Sequence, residues 1–218
     1  YSAENFGIYA VWLGIVLLVS MLGTLKLEQI FAIEFIKHPE SNAFSYVNII
    51  SFTLSLVISL IVCFALFLAE YEYISLSFFI YLLIASILSS LLRMYECYFV
   101  AISQFNTLIK LRMINNFLVP FFQVTFGFLG ASFEMLIFGY ILGSLLAVIF
   151  SIFSVELKFF KIFTLQELKF FLYSYRDIPT LKLPADFTNN LAQQAPTFLV
   201  SYRFGEEYAG FLALTLKF

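Results

Sequence analysis

The chain has 218 residues, of which 62% are hydrophobic and 12% are charged, and its mean hydropathy is +0.96. Soluble domains carry about 25% charged residues, so this composition excludes an ordinary soluble fold. The net charge of −2 says little, because the distribution of charge along the chain matters more than the sum. We expect no nucleic-acid partner, since nothing in the sequence supports one.

Five apolar stretches lie in the first 155 residues, each close to the roughly 20 residues that cross a hydrocarbon core. We expect each to form a membrane-spanning helix, with residues 93–112 continuing as helix outside the membrane. A sixth, more polar span follows, and a seventh begins after it. The six predicted spans are residues 8–25, 47–69, 76–92, 113–131, 135–155 and 184–202.

An amphipathic segment separates the apolar spans from the polar one. Residues 156–176 alternate lysines such as Lys158, Lys161 and Lys169 with large apolar residues, which is typical of an interfacial helix. Thr164 and Glu167 have the spacing of a capping box, so we expect a helix to begin there.

The sixth span carries a polar face. On a helix, its acid, amides and hydroxyl follow one another at spacings of three and four residues. An Asp in mid-membrane costs about 2.5–3.5 kcal/mol and each Leu, Ile or Phe returns about 0.3–0.6 kcal/mol, so this face requires water or protein beside it. It indicates either a water-filled passage, as in a transporter, or hydrogen bonding between packed helices. Its residues are Asp186, Asn189, Asn190, Gln193 and Thr197.

Lysines and arginines are concentrated in alternate loops, which predicts the orientation of the chain in the membrane. Ten of the twelve lysines and arginines follow the first, third and fifth spans, so these loops are predicted to be cytoplasmic. Residues 3–9 resemble residues 205–211 at a shift of 202, and both segments fall on the opposite side. Six crossings lie between them, which agrees with parallel repeats of a two-lobed transporter.

Nucleophile–base pairs, metal-ligand spacings and phosphate-binding glycine loops do not stand out in the sequence. We therefore expect no catalytic residues, no metal, no cofactor and no enzymatic activity. The chain begins at Tyr1 and ends at Phe218 inside an apolar run, so we also expect it to be part of a longer protein.

Two segments near the N-terminus, SAENFGIYAVWLGIV and LGTLKLEQIFAI, resemble the start of the polysaccharide (O-antigen type) flippases. These flippases belong to the multidrug/oligosaccharidyl-lipid/polysaccharide exporter superfamily. The segment FEMLIFGYILGSLLA resembles the helix that closes their first lobe. Residues that carry the resemblance are Glu4, Phe6, Gly7, Lys26, Glu28, Gly139, Gly143, Tyr175, Arg176, Pro179, Gln193, Pro196, Phe204, Gly205, Gly210 and Lys217.

The resemblance implies an all-α polytopic membrane protein with the two-lobed (MATE-like) exporter architecture, of which about one lobe is present. Residues 1–155 would form most of the first six-helix lobe without its first helix. Residues 156–183 would form the cytoplasmic linker, and residues 184–218 the first helix and part of the second helix of the other lobe.

The implied function is the flipping of undecaprenyl-pyrophosphate-linked oligosaccharide across the bacterial inner membrane for O-antigen, capsule or exopolysaccharide assembly. The implied partners are the lipid-linked oligosaccharide, membrane lipids and polysaccharide polymerase machinery. A cation-coupled drug exporter of the same superfamily and a membrane polymerase are the alternatives, although the short outward loops disfavour a polymerase. A truncated, non-functional product is a further alternative.

Several residues allow both a functional and a structural interpretation. Lys26 and Arg93 could contact the pyrophosphate or anchor the topology, and Lys26 and Lys217 stand where the family commonly has Arg, which puts bidentate phosphate binding in doubt. Lys217, about nine residues into its span, is a candidate for the substrate cavity. Pro196 could kink its helix at a gate or could be tolerated there.

Two further positions concern packing and charge. Gly139 and Gly143 are a small-x3-small pair, which favours close helix packing. Glu28 could pair with a basic residue or titrate during ion coupling, and we expect pairing.

Overall fold

The structure is a computed structural model that describes residues 1–37, 43–68, 76–155 and 165–216. In these ranges it consists of helices joined by turns, without strands. The α-helices, in chain order, are α1 Ala3–Thr24, α2 Ile30–Lys37, α3 Ala43–Leu68, α4 Leu76–Ala101, α5 Phe105–Gly127, α6 Phe133–Ser154, α7 Leu165–Ser174, α8 Leu183–Phe204 and α9 Glu206–Leu216. A 3-10 turn at Leu27–Gln29 precedes α2, and a π-helical turn at Ile178–Lys182 leads into α8.

Within the described ranges, four helices are long and apolar enough to cross a membrane: α1, α4 and α6, and the Ala43–Leu66 part of α3. The predicted all-α polytopic fold is therefore confirmed. The predicted fourth and sixth spans fall on α5 and α8, which lack that apolar character because both contain several charged or amide side chains. The predicted division into lobes and linker stays a prediction.

The helix ends differ from the predicted span ends where polar residues continue a helix. The third predicted span ends at residue 92, and α4 continues to Ala101, in agreement with the helical continuation predicted for residues 93–112; residues 102–104 then separate it from α5. Its last turns bury Tyr95 and Tyr98, and α5 is attached there through an Arg112–Glu96 ion pair of 2.8 Å. Packing of the aromatic side chains, which hydropathy does not measure, supports the longer helix.

Helix α1 is the centre of the bundle. It contacts α3, α4, α6, α8 and α9, and the side chains of Trp12 and Val16 are fully buried. Ser2 caps its first turn by accepting a hydrogen bond from the backbone N–H of Asn5. The indole ring of Trp12 packs edge-on against Tyr140 of α6. Helix α1 therefore sets the positions of these five helices relative to one another.

A ladder of buried serines joins α3 to α4. Ser55 and Ser59 lie one turn apart on α3, and their hydroxyls lie 2.8 Å from those of Ser90 and Ser86 respectively. Ser90 also donates to the backbone carbonyl of Ser20 on α1. Small hydroxyl side chains let the three helices approach closely and satisfy one another's polar groups. The ladder was not predicted, although the spacing of four residues on α3 is its signal in the sequence.

Helices α5 and α6 form a hairpin. Gly139 and Gly143 of α6, the two glycines predicted to allow close packing, contact α5. A Cβ atom on Gly143 would lie 2.7 Å from the Cα of Val119, and one on Gly139 would lie 2.6 Å from the backbone nitrogen of Gln123. Only glycine permits this approach of the two backbones. The predicted small-x3-small packing is confirmed.

Candidate functional site

Helix α8, which contains the predicted polar face, lies along α1 and runs antiparallel to it. The ring of Phe198 fills the space beside Gly14, where a Cβ would lie only 2.9 Å away. Further along, the side-chain amide of Asn190 donates to the sulfur of Met21 at 3.1 Å and to the carbonyl of Asp186 at 2.8 Å. We call the two ends of this helix pair the Gly7 end and the Lys26 end, after the α1 residues found there.

A cavity of about 270 Å³ opens between α1, α8 and α9. Gln193, Gln194 and Thr197 of α8 form one wall, and Phe6 and Tyr9 of α1 contribute aromatic groups to the other. Amide side chains both donate and accept hydrogen bonds. The cavity therefore combines apolar surface with a few polar groups, as small-molecule sites do.

The structure divides the predicted polar face. Gln193 and Thr197 line the cavity, whereas Asp186 and Asn190 contact α1 directly. Asn189 is exposed. A helix turns by about 100° per residue, so the five side chains spread over an arc of the helix surface that is too wide to face a single neighbouring element. One part of the face therefore borders a cavity and another part contacts a neighbouring helix, while the lining of a substrate passage stays a prediction.

Two other predicted residues have less definite roles. Pro196 is exposed within α8, and the helix continues on both sides of it. Lys217 lies outside the described residues, so its place in a cavity stays a prediction.

Lys26 is held at the Lys26 end by an unusual turn of the chain. Helix α1 stops because Leu25 and Lys26 both take left-handed backbone angles, with φ of 48° and 61°. Such angles cost non-glycine residues roughly 1–3 kcal/mol each and are commonly found at functional sites. The backbone N–H of Leu25 donates to Leu22, and that of Lys26 lies 3.4 Å from the hydroxyl of Thr24.

The turn directs the ammonium group of Lys26 toward α8. Its Nζ lies 3.0 Å from the Oδ2 of Asp186, and the two side chains are 12% and 37% exposed. The sequence assigned these residues to different roles, one to a possible pyrophosphate contact and the other to a cavity. In the structure they form one ion pair between helices that are 160 residues apart in the chain.

Two more side-chain contacts join the same parts of the chain. The Nζ of Lys182 donates to the Oε1 of Gln29 at 2.7 Å, and the hydroxyl of Tyr175 donates to the carboxylate of Glu34. Burial and the adjacent negative charge of Glu34 raise the pKa of Tyr175 to about 12. With the ion pair, these contacts tie residues 26–34 to residues 175–186.

Two further charged residues were singled out in the sequence, Arg93 on α4 and Glu28 in the turn after Lys26. Arg93 is half-buried on α4, so its contact with a diphosphate stays a prediction. Glu28 is only 2% exposed, and its Oε2 has no hydrogen-bond partner among the described residues. The expected pairing of Glu28 with a basic residue is not found among the described residues, and Lys26 contacts Asp186 instead.

At the Gly7 end, α1 crosses α9. A Cβ on Gly7 would overlap the carbonyl oxygen of Glu206, and a Cβ on Gly210 would overlap that of Ala3. The contact is reciprocal, so Gly7 and Gly210 are equivalent positions, 203 residues apart. The repeat predicted from sequence was therefore misaligned by one residue.

Comparison with protein families gives one match, which covers residues 1–217 with the family described as "Polysaccharide biosynthesis protein". The chain belongs to this family. Neither the curated proteins nor the solved structures give a significant match to it. The family assignment agrees with the resemblance seen in the sequence, and it places this membrane protein in polysaccharide biosynthesis.

Some residues of this family member's cavity were missed from the sequence. Gln194 falls outside the predicted polar face, but the neighbouring Gly14 leaves room for Phe198 and brings the Gln194 amide close to α1. Phe6 had been noted only for the resemblance and Tyr9 only as part of the repeat. The available signal was the pair of adjacent glutamines, Gln193 and Gln194, in one membrane helix. Adjacent side chains on a helix point about 100° apart, so two amides at neighbouring positions need hydrogen-bond partners in two directions.

Proposed function

We propose that this chain forms part of a transporter that moves undecaprenyl-pyrophosphate-linked oligosaccharide from the cytoplasmic to the outer leaflet of the bacterial inner membrane. The family supplies the pathway, which is polysaccharide biosynthesis. The observation that carries the proposal is the cavity between α1, α8 and α9, with amides on one wall and aromatic groups on the other. Sugars present hydroxyls to the former and apolar ring faces to the latter.

The distribution of positive charge supports a direction for the substrate. By the positive-inside rule the Lys26 end is cytoplasmic and the Gly7 end faces outward. Lys26 lies about 25 Å along the α1 axis from Tyr9, at 1.5 Å per residue. In this arrangement Lys26 and Arg93 attract the diphosphate, while the cavity residues contact the glycan.

The test removes the amides of the cavity. In the whole protein expressed in its host cell, the double variant Gln193→Ala and Gln194→Ala should reduce surface polysaccharide about ten-fold at unchanged protein level. The size follows from losing two or more hydrogen bonds worth roughly 0.5–1.5 kcal/mol each. Asn106→Ala, which removes an exposed amide at the start of α5, is the matched control and should have no effect.

Normal polysaccharide in the double variant would contradict the proposal. Drug sensitivity with unchanged polysaccharide would support the drug exporter instead, because both belong to one superfamily but carry different cargo. A loss of polymer length at normal transport would support the membrane polymerase.

A further inference from the structure

The ion pair between Lys26 and Asp186 connects a strained turn to the first helix beyond the amphipathic segment. Lys26 is 12% exposed and its only salt-bridge partner among the described residues is Asp186. The left-handed backbone angles at Leu25 and Lys26 cost free energy in non-glycine residues. That the chain adopts them indicates that the position of this ammonium group matters.

The surroundings of the pair make it exchangeable. Asp186 is 37% exposed, so water and solutes reach the carboxylate, and an ion pair in such an environment is held much less tightly than a buried one. Lys26 lies 3.0 Å from the Oδ2 of Asp186, so the ammonium group is held at the partly exposed side of this contact. An anion that enters from the exposed side of Asp186 would therefore compete with this carboxylate for the same ammonium group.

We infer that Asp186 is an internal counter-ion that occupies Lys26 until a diphosphate displaces it, and that the exchange releases α8 from the Lys26 end of α1. A diphosphate carries more negative charge than one carboxylate and more acceptor oxygens, so it is the stronger ligand for the same cation. The identification of this diphosphate with the lipid-linked substrate rests on the proposed function.

Release would remove the ion pair and leave the other described side-chain contacts between the two segments in place. When Asp186 leaves Lys26, the contacts Lys182–Gln29 and Tyr175–Glu34 remain as the only described side-chain hydrogen bonds between residues 26–34 and residues 175–186. The arrangement therefore couples the arrival of an anion to the separation of two helices, with charge exchange as the trigger.

Binding of inorganic pyrophosphate to the whole protein in nanodiscs tests the first half of the inference. Asp186→Asn removes the competitor and should tighten binding about ten-fold, whereas Lys26→Gln should remove binding with either residue at position 186. Asp177→Asn is the matched control, because it changes the net charge equally at a carboxylate that lies next to Arg176 and is 82% exposed. Equal affinity in the Asp186→Asn, Asp177→Asn and unaltered proteins would overturn the inference.

A second measurement tests release without relying on the stability of the Asp186 variant. Met21 of α1 is fully buried, and its sulfur accepts a hydrogen bond from Asn190 of α8. In a protein with Cys63→Ala and Cys97→Ala, Met21→Cys should react with a soluble maleimide several-fold faster when pyrophosphate is added. A labelling rate that pyrophosphate does not change would overturn the release step.

Undecaprenyl pyrophosphate distinguishes the source of the anion. If it reproduces the effect of inorganic pyrophosphate, the exchange and the proposed function are both supported. If only the inorganic ion acts, the counter-ion role of Asp186 stands and the lipid-linked substrate is refuted.

Discussion

Packing of α5 against α6 through two glycines leads to a quantitative prediction. In Gly143→Ala, the new Cβ would lie 2.7 Å from Val119, whereas carbon atoms in contact are about 3.5–4.0 Å apart. The helices must therefore separate by roughly 1 Å. Overpacking of this kind costs about 1–3 kcal/mol, which corresponds to a fall in melting temperature of roughly 2–12 °C for a chain of this size.

The pair of glycines makes the prediction sharper. Gly139→Ala meets the same helix one turn away, at 2.6 Å from the backbone of Gln123. One separation of the helices relieves both clashes, so the double variant should cost clearly less than the sum of the single ones. Gly130→Ala is the control, because nothing lies within 4 Å of its Cβ. Thermal unfolding in detergent measures all four proteins, and either additive losses or an equal loss in Gly130→Ala would refute the reasoning.

Three further predictions concern the neighbourhood of the site. Gly210→Ala places a methyl group on the carbonyl of Ala3. In a strain that lacks the gene, this variant should fail to restore surface polysaccharide while its protein level is kept. Gly205→Ala, at φ 95°, should lower the unfolding free energy by about 1–3 kcal/mol in thermal melts, although its Cβ meets nothing. Tyr175→Phe removes the hydrogen bond to Glu34. Because the folded pKa of Tyr175 is raised to about 12 from 10.0, the advantage of tyrosine over phenylalanine should be present below pH 10 and decline as pH rises toward 12.

The apolar spans could be predicted because the physics that forms them is local. α1 and α6 follow from uninterrupted apolar runs of the length of a bilayer, and α7 begins at Leu165, within the predicted capping box. The helical character of α8 was also predictable. Its polar side was recognised from the spacing of Asp186, Asn190 and Gln193 alone.

Contacts between distant segments could not be predicted in the same way. The pairing of Lys26 with Asp186 depends on the left-handed turn at Leu25, and nothing in a Leu-Lys dipeptide requires that conformation. The repeat was misaligned by one residue because a single identity does not fix a register, whereas the reciprocal clash at Gly7 and Gly210 does.

The reciprocal contact between α1 and α9 also bears on how the protein is made. Gly7 and Gly210 are 203 residues apart, which a ribosome bridges in about 10–40 s at 5–20 residues per second. During that interval the glycine face of α1 has no α9 beside it, and lipid or a chaperone of the insertion machinery must cover it. The contact between α1 and α9 can therefore form only after the 203 residues from Gly7 to Gly210 have been synthesised.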